Sequence, residues 1–193
     1  AGAAPAASAC APGEETPTIR IGHQKNGLLL LAKHSGRLEE ALKTPPPAEV
    51  RWLEFSSGPP LLEALGVGSL DFGSTGDAPP IFAQAAGAPL VYVGAVKLSG
   101  AAGGVLTPAN SGITTIAGLR GKRVAFARGT SAHASAIALL ESGGLTLADV
   151  TEVNLAPADA ASAFSQGGID AWVIWDPYFT IARRSDGARL LTA

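Results

Sequence analysis

The sequence predicts an α/β fold in two lobes, and three observations carry that reading. From Thr18 onward, short β-branched or apolar runs alternate with longer Ala/Leu-rich segments, and Gly, Pro or Ser marks the junctions. Apolar residues make up 47% of the 193-residue chain, enough to supply a packed core. Periodicity lapses over residues 97–103 (KLSGAAG) between two stretches of similar α/β composition, which places a domain crossing there. A single sheet with a long surface loop is the alternative that this pattern leaves open.

In chain order, residues 1–17 read as a flexible tail, because AGAAPAASACAPGEET holds small residues, Pro and Gly without apolar periodicity. Cys10 follows Ala7-Ser8-Ala9, a small-x-small triplet of the kind that precedes a signal-peptidase cut, where bacterial lipoproteins are acylated. Ala7 stands where such signals usually carry Leu, so lipid attachment and an incidental Ala-rich tail both fit. Strands are expected at 18–22, 50–55, 70–73 and 90–95 in a first lobe spanning 18–96, with helices at 27–42, 59–65 and 79–86. In a second lobe spanning 97–187, strands are expected at 104–107, 123–127, 152–155 and 171–174, and helices at 131–141, 158–166 and 177–183. Such alternation favours parallel sheets.

Composition excludes several function classes. Charged residues are 16% of the chain, the formal net charge is −2, and no Lys/Arg run interleaves with aromatics, so nucleic acid is not an expected partner. The apolar run at 28–32 falls far short of the about 20 residues that cross a bilayer. One cysteine cannot form an intrachain disulfide, and without paired Cys/His spacings or an H-E-x-x-H no metal site is expected. Gly121-Lys122 misses the phosphate-loop pattern and reads as a basic turn entering a strand; Glu39-Glu40 reads as a solvated helix face.

The chemistry concentrates at three strand-to-helix junctions. Ser56-Ser57-Gly58 precedes Pro59-Pro60, Ser74-Thr75-Gly76-Asp77 precedes Pro79-Pro80, and Gly129-Thr130-Ser131 precedes an Ala-rich run. Ser, Thr and Asp suit N-caps, Gly admits close backbone approach, and Pro is tolerated in a first turn whose N–H would have no helical partner. Junctions of this kind lie at the carboxyl ends of strands, where free N–H groups and the helix dipole favour an oxyanion. A carboxylate at Asp77 repels an anion, so its expected role is to cap its own helix. His133, in the first turn after Ser131, reads either as a helix-start histidine or as an N–H donor to the anion. Ser131 and His133 stand two apart and do not face each other on a helix, and no G-x-S-x-G occurs, so a hydrolase is disfavoured. Trp172, Trp175 and Tyr178 surround Asp176-Pro177, with Asp176 expected as N-cap and Pro177 at the first helical position. Trp175 closes a strand and reads either as core or as the wall of an apolar ligand tail.

The stretches IGHQKNG (21–27), LEFSSGPPLLEALGVGSLDFGSTGDAPPIFAQAAGAPLVYVG (53–94), LRGKRVAFARGTSAH (119–133) and PADAASAFSQGGIDAWVIWDPY (157–178) carry a family likeness. The sequence resembles the aliphatic sulfonate-binding proteins within the taurine/nitrate group of ABC-transporter periplasmic substrate-binding proteins. The resemblance implies a type II, two-lobed periplasmic-binding-protein-like architecture that closes by hinge motion on a small sulfonate or other oxyanion. It further implies delivery to an ABC permease from the periplasm or the outer face of the cytoplasmic membrane, with no catalysis and no cofactor, and a monomer when complete. Carried over position by position, the contacts are Gln24, Ser57, Gly58, Gly76 and Asp77 from the first lobe and Thr130, Ser131, His133, Trp175 and Asp176 from the second. Two departures stand out. The Pro-rich, Lys-containing loop usual after Val93-Gly94 is replaced by KLSGAA at 97–102, which bears on ligand preference. The family's chain normally continues and returns, so the first lobe is expected to be incomplete at its C-terminus, with 188–193 returning to it. Nitrate or a thiamine precursor as ligand, and a truncated remnant without function, are the alternatives. The pyrimidine-synthase relatives of thiamine biosynthesis share these lobes, but their Cys/His-rich signatures do not occur here.

Overall fold

A computed structural model describes residues 16–97 and 102–191; the Ala-rich tail with Cys10, most of the expected crossing loop and the last two residues lie outside them. In the first lobe, β1 (Thr18–His23), β2 (Glu49–Glu54) and β3 (Phe72–Gly73) form an all-parallel sheet in the order β2-β1-β3. Its core is small: Leu61, Leu62 and Leu70 are buried, with Leu53, Phe55 and Leu65 packed against them. Leu61 and Leu62 belong to α3 (Gly58–Gly66), whose first turn takes two prolines.

The single helix expected over 27–42 is two helices, α1 (Gly27–Ser35) and α2 (Arg37–Ala41). They break at Gly36, whose φ of 64° is a left-handed conformation that glycine adopts without steric cost. Glu39 on α2 does not sit on a solvated face, because its Oε1 accepts a hydrogen bond from Trp52 Nε1 at 2.6 Å. After α4 (Ala78–Ala85), the expected strand at 90–95 is absent, and Val91, Tyr92 and Val93 are exposed. The composition suits a strand, but a strand exists only where a neighbour completes its ladder, and that is not a local property.

The second lobe holds β4 (Gly103–Thr107), β5 (Arg123–Phe126), β6 (Thr151–Asn154), β7 (Ala171–Trp175) and β8 (Arg189–Leu191) in the order β6-β5-β7-β4-β8. This sheet is mixed: β5 runs parallel to β6 and β7, whereas β4 is antiparallel to β7 and β8. Side-chain alternation divides the core. Val105, Val124, Phe126 and Val173 face α5 (Ser131–Ser142), while Leu106, Ala125, Trp172 and Ile174 face α6 (Pro157–Ser165) and α7 (Tyr178–Ser185). The expected return of 188–193 to the first lobe does not occur over the described residues. A short turn at Gly187 brings β8 alongside β4, pairing Val105 with Leu191 and Thr107 with Arg189, and buries Ala188 and Leu191 in the second core.

With so few buried residues, the first lobe depends on each of them. Leu61→Ala is expected to lower the unfolding free energy by about 2–5 kcal/mol, read as a reduced urea midpoint with an unchanged slope.

Candidate functional site

The three junctions picked out in the sequence converge where the lobes face each other. Gly58 opens α3 so close to the loop before α4 that a Cβ there would overlap Thr75 Oγ1 and lie 2.6 Å from Pro79 Cγ. A Cβ on Gly76 would overlap Ser131 Oγ of the opposite lobe, and one on Gly129 would lie 3.3 Å from Pro59 Cγ. Glycine at these positions is what lets the starts of α3, α4 and α5 meet.

The expected side-chain caps form only in part. Ser57 and Thr130 occupy the N-cap positions with extended backbone, but neither side chain caps its helix. Thr130 Oγ1 donates to the Ala127 carbonyl at 2.6 Å, a local bond that competes with capping. The first-turn N–H groups of α5 and the one N–H that the Gly58-Pro59-Pro60 start of α3 retains, that of Gly58, therefore have no side-chain cap, a condition that suits an oxyanion. Thr75 Oγ1 is buried at the same convergence without a hydrogen-bond partner among the described residues.

Asp77 caps as expected, accepting from Ala78 N at 2.9 Å, and it also accepts from Ser131 Oγ at 2.7 Å across the lobes. The Ser131 hydroxyl, opposed by partial desolvation and helped by the Ala78 N–H, holds the Asp77 carboxyl below the usual carboxylate range. His133 is stacked between Phe126 of its own lobe, centroids 5.2 Å apart, and Phe82 of the other, 6.0 Å away. Its Nδ1 accepts from Gly129 N at 3.3 Å, so the proton of the neutral ring sits on Nε2. Asp176 Oδ1 accepts from the Thr180 N–H and hydroxyl and so caps the first turn of α7, which begins at Tyr178, one residue later than expected. The Asp176 carbonyl accepts from Asn26 Nδ2 at 3.1 Å, a second bond between the lobes.

Two concavities adjoin these contacts. The one between the lobes has a volume of about 150 Å³; Gln24, Lys25 and Asn26 form its polar wall, and Trp175, Tyr178 and Phe55 its aromatic one. Gln24 is buried, with its amide donating to the Ser74 carbonyl at 3.3 Å. The larger, about 480 Å³, lies on the second lobe between α5 and strands β4, β7 and β8; it has no charged side chain and is walled by residues such as Leu139, Val173 and Leu191. The smaller cavity is polar and near neutral: Lys25 reaches it beside the Glu54 carboxylate, 3.9 Å from its Nζ, and the Gln24 and Asn26 amides each give one donor to a backbone carbonyl and keep a second N–H. Trp175 lines both.

Of the expected contacts, Gln24 and Trp175 thus meet at the cavity. The other expected contacts do not line it: Gly76, Asp77 and Ser131 meet between the lobes, Ser57, Gly58 and Thr130 form the helix starts, His133 stacks between two phenylalanines, and the Asp176 carboxylate is committed to α7. Sequence reasoning missed Lys25 and Asn26, although they follow Gln24 directly, and it missed the Phe82–His133 stack, which no local spacing announces.

Comparison with known proteins bears on the family and the fold. The pattern of the NMT1/THI5-like family matches residues 50–191. An Escherichia coli K12 protein, provisionally described as an aliphatic sulfonates-binding protein, is 48% identical over 180 residues, 92% of this chain and 56% of that one. The alkanesulfonate-binding protein SsuA from Xanthomonas axonopodis pv. citri, solved bound to MOPS, superposes with a TM-score of 0.85 at 46% identity, covering 93% of this chain and 62% of that one. The periplasmic aliphatic sulphonate binding protein SsuA from E. coli gives 0.76 at 47% identity, covering 92% and 60%. The chain spans about half the length of the curated relatives it matches.

The Ser131–Asp77 bond has a pH signature. Because Asp77 is shifted down in the folded protein, the contact's contribution is complete above the ordinary value of 3.8 and is lost as pH falls through the lower one. In Ser131→Ala, the Asp77 carboxyl is expected to titrate closer to 3.8 when followed by carbon-detected NMR; an unmoved titration would show that the two side chains do not meet in solution.

Proposed function

The chain belongs to the NMT1/THI5-like family, and from that premise we propose that it is the substrate-binding component of an ABC importer. It captures an aliphatic sulfonate, or a similar small oxyanion, between its lobes and passes it to a permease in the cytoplasmic membrane. The observation that carries this reading is the cavity between the lobes, where Lys25, balanced by Glu54, and two amides meet the rings of Phe55, Trp175 and Tyr178. Such a site fits an amphiphile whose anionic head meets N–H donors while its carbon tail lies against Trp175. MOPS, held by the Xanthomonas relative, is itself a sulfonate.

The proposal of binding without turnover is supported by how two candidate catalytic groups are engaged. Ser131 donates to Asp77, and His133 Nδ1 accepts from the Gly129 N–H, so no Ser–His pair forms to activate a nucleophile. The Asp77 charge, which would repel an anion, is occupied by the Ser131 hydroxyl and the Ala78 N–H. The protein would act outside the cytoplasmic membrane, where the permease opens, with Cys10 as the point of attachment if it is acylated; among the described residues no helix is long and apolar enough to cross a bilayer.

Thermal unfolding with millimolar ethanesulfonate, taurine, nitrate or sulfate tests the reading. A sulfonate at about 100 times its Kd is expected to stabilise the chain by about 2.7 kcal/mol, and a shift with nitrate or sulfate alone would reassign the ligand class. If Trp175 walls the tail, Trp175→Ala will weaken octanesulfonate more than taurine by calorimetric titration; equal losses would make the indole structural.

A further inference from the structure

Behind the polar wall of the cavity lies a histidine that ligand binding does not use. His23 ends β1 and is 0% exposed. Its Nδ1 is 3.1 Å from the Gln24 carbonyl oxygen, and its Nε2 is 3.0 Å from Lys33 Nζ on α1. The two partners fix the ring between them, since a carbonyl oxygen only accepts and an ammonium only donates. Nδ1 must therefore carry the proton, and Nε2 must offer its lone pair to Lys33. A second proton would set two donors against each other at 3.0 Å. From the sheet, Trp52 of β2 meets the ring edge-on, centroids 6.0 Å apart, with its Nε1 on the Glu39 carboxylate of α2, and Glu54, the register partner of His23, has its carboxylate 3.9 Å from Lys25 Nζ.

We infer that His23, locked by Lys33 as the Nδ1–H tautomer, is a positioning residue that holds residues 24–26 against the cavity. Its imidazole fixes the Gln24 carbonyl, after which the chain turns to present Gln24, Lys25 and Asn26 to the cavity. The His23 carbonyl accepts from Phe55 N at 2.8 Å, which ties the same residue to another part of the lining. Asn26, at the far end of the turn, makes the bond to the Asp176 carbonyl of the second lobe. One buried ring thus links α1, the binding turn and a contact between the lobes. A turn released from it would have to be ordered by the ligand, at a cost in affinity. His133 supplies an internal contrast, because its Nδ1 accepts from Gly129 N and its proton belongs on Nε2.

The effect on affinity rests on the proposed sulfonate site; the tautomer and the turn position do not. Long-range proton–nitrogen NMR of the ligand-free chain is expected to show His23 protonated at Nδ1 alone and His133 at Nε2 alone. A His23 protonated at Nε2 overturns the inference. His23→Asn keeps an amide N–H near the Nδ1 position, whereas His23→Gln places its amide near Nε2 and loses the donor to Gln24. Lys33→Met leaves the ring and removes one of the two partners that fix its tautomer and place, and so serves if His23→Gln does not fold. The Asn26 side-chain amide resonance is expected to hold in H23N and to move in H23Q and K33M. Ethanesulfonate affinity is expected to fall about five- to tenfold in H23Q and K33M, the size of one hydrogen bond, and to be retained in H23N. Variants that lose stability while the Asn26 resonance and the affinity stay put would show a merely structural histidine. If the parent chain binds no sulfonate while the tautomer and the Asn26 response appear as expected, the ligand assignment fails and the positioning role stands.

Discussion

Close approach of glycine backbone to the side chains of facing helix starts is the constraint from which the rest of the site follows. Gly58, Gly76 and Gly129 each stand where a Cβ would meet atoms of another segment, and two of those meetings cross from one lobe to the other. Because these residues have no side chain, three helix starts share one small region and Ser131 reaches Asp77. Larger residues there would hold the lobes apart and open the space between the polar and aromatic walls. The glycines thus serve the assembly of the site more than the stability of either lobe.

Each lobe holds its own sheet by the same device. Arg20 in β1 donates its backbone N–H and its guanidinium to Asp71, immediately before β3, and Arg123 in β5 does the same to Asp170, immediately before β7. The Arg20 bonds pull Asp71 down to about 2 and those from Arg123 lower Asp170, so both carboxylates stay charged well into acid. Exposed ion pairs add little to stability. Their two-pronged geometry instead fixes how one strand lies along the next, and two of the strands so aligned, β3 and β5, lead into the junctions before α4 and α5.

What the sequence disclosed and what it withheld divide along the range of the interactions. The junctions around Ser57, Gly76 and Thr130 were legible because Gly, Pro and a hydroxyl in a few consecutive residues dictate a helix start whatever surrounds it. The break at Gly36 was missed because a helix C-terminus and an interior glycine look alike until the backbone is seen. The segment 90–95 reads as a strand in composition and is none, while Arg189–Leu191 is too short to announce itself and finds a partner in β4. Gln24 came from family likeness, and Lys25 and Asn26 beside it were overlooked because no local rule tells which residues of a turn face a cavity. The opposite tautomers of His23 and His133 lie furthest from the sequence, since each depends on partners brought up by the fold.

The contacts between the lobes bear on how such a clamp would work. Ser131–Asp77, Asn26–Asp176 and the Phe82–His133 stack join the lobes through the protein's own groups. A ligand entering this arrangement need not supply the whole energy of closure; it shifts the balance between open and closed only by its extra affinity for the closed form. That extra affinity has to come from groups that a single small molecule can touch on both sides at once. At the cavity these are the amides and cation of residues 24–26 on one wall and the rings of Trp175 and Tyr178 on the other. A ligand that touched one wall alone would bind without favouring closure, which is why the proposed ligand is a molecule with a polar head and a carbon tail and not a bare inorganic ion.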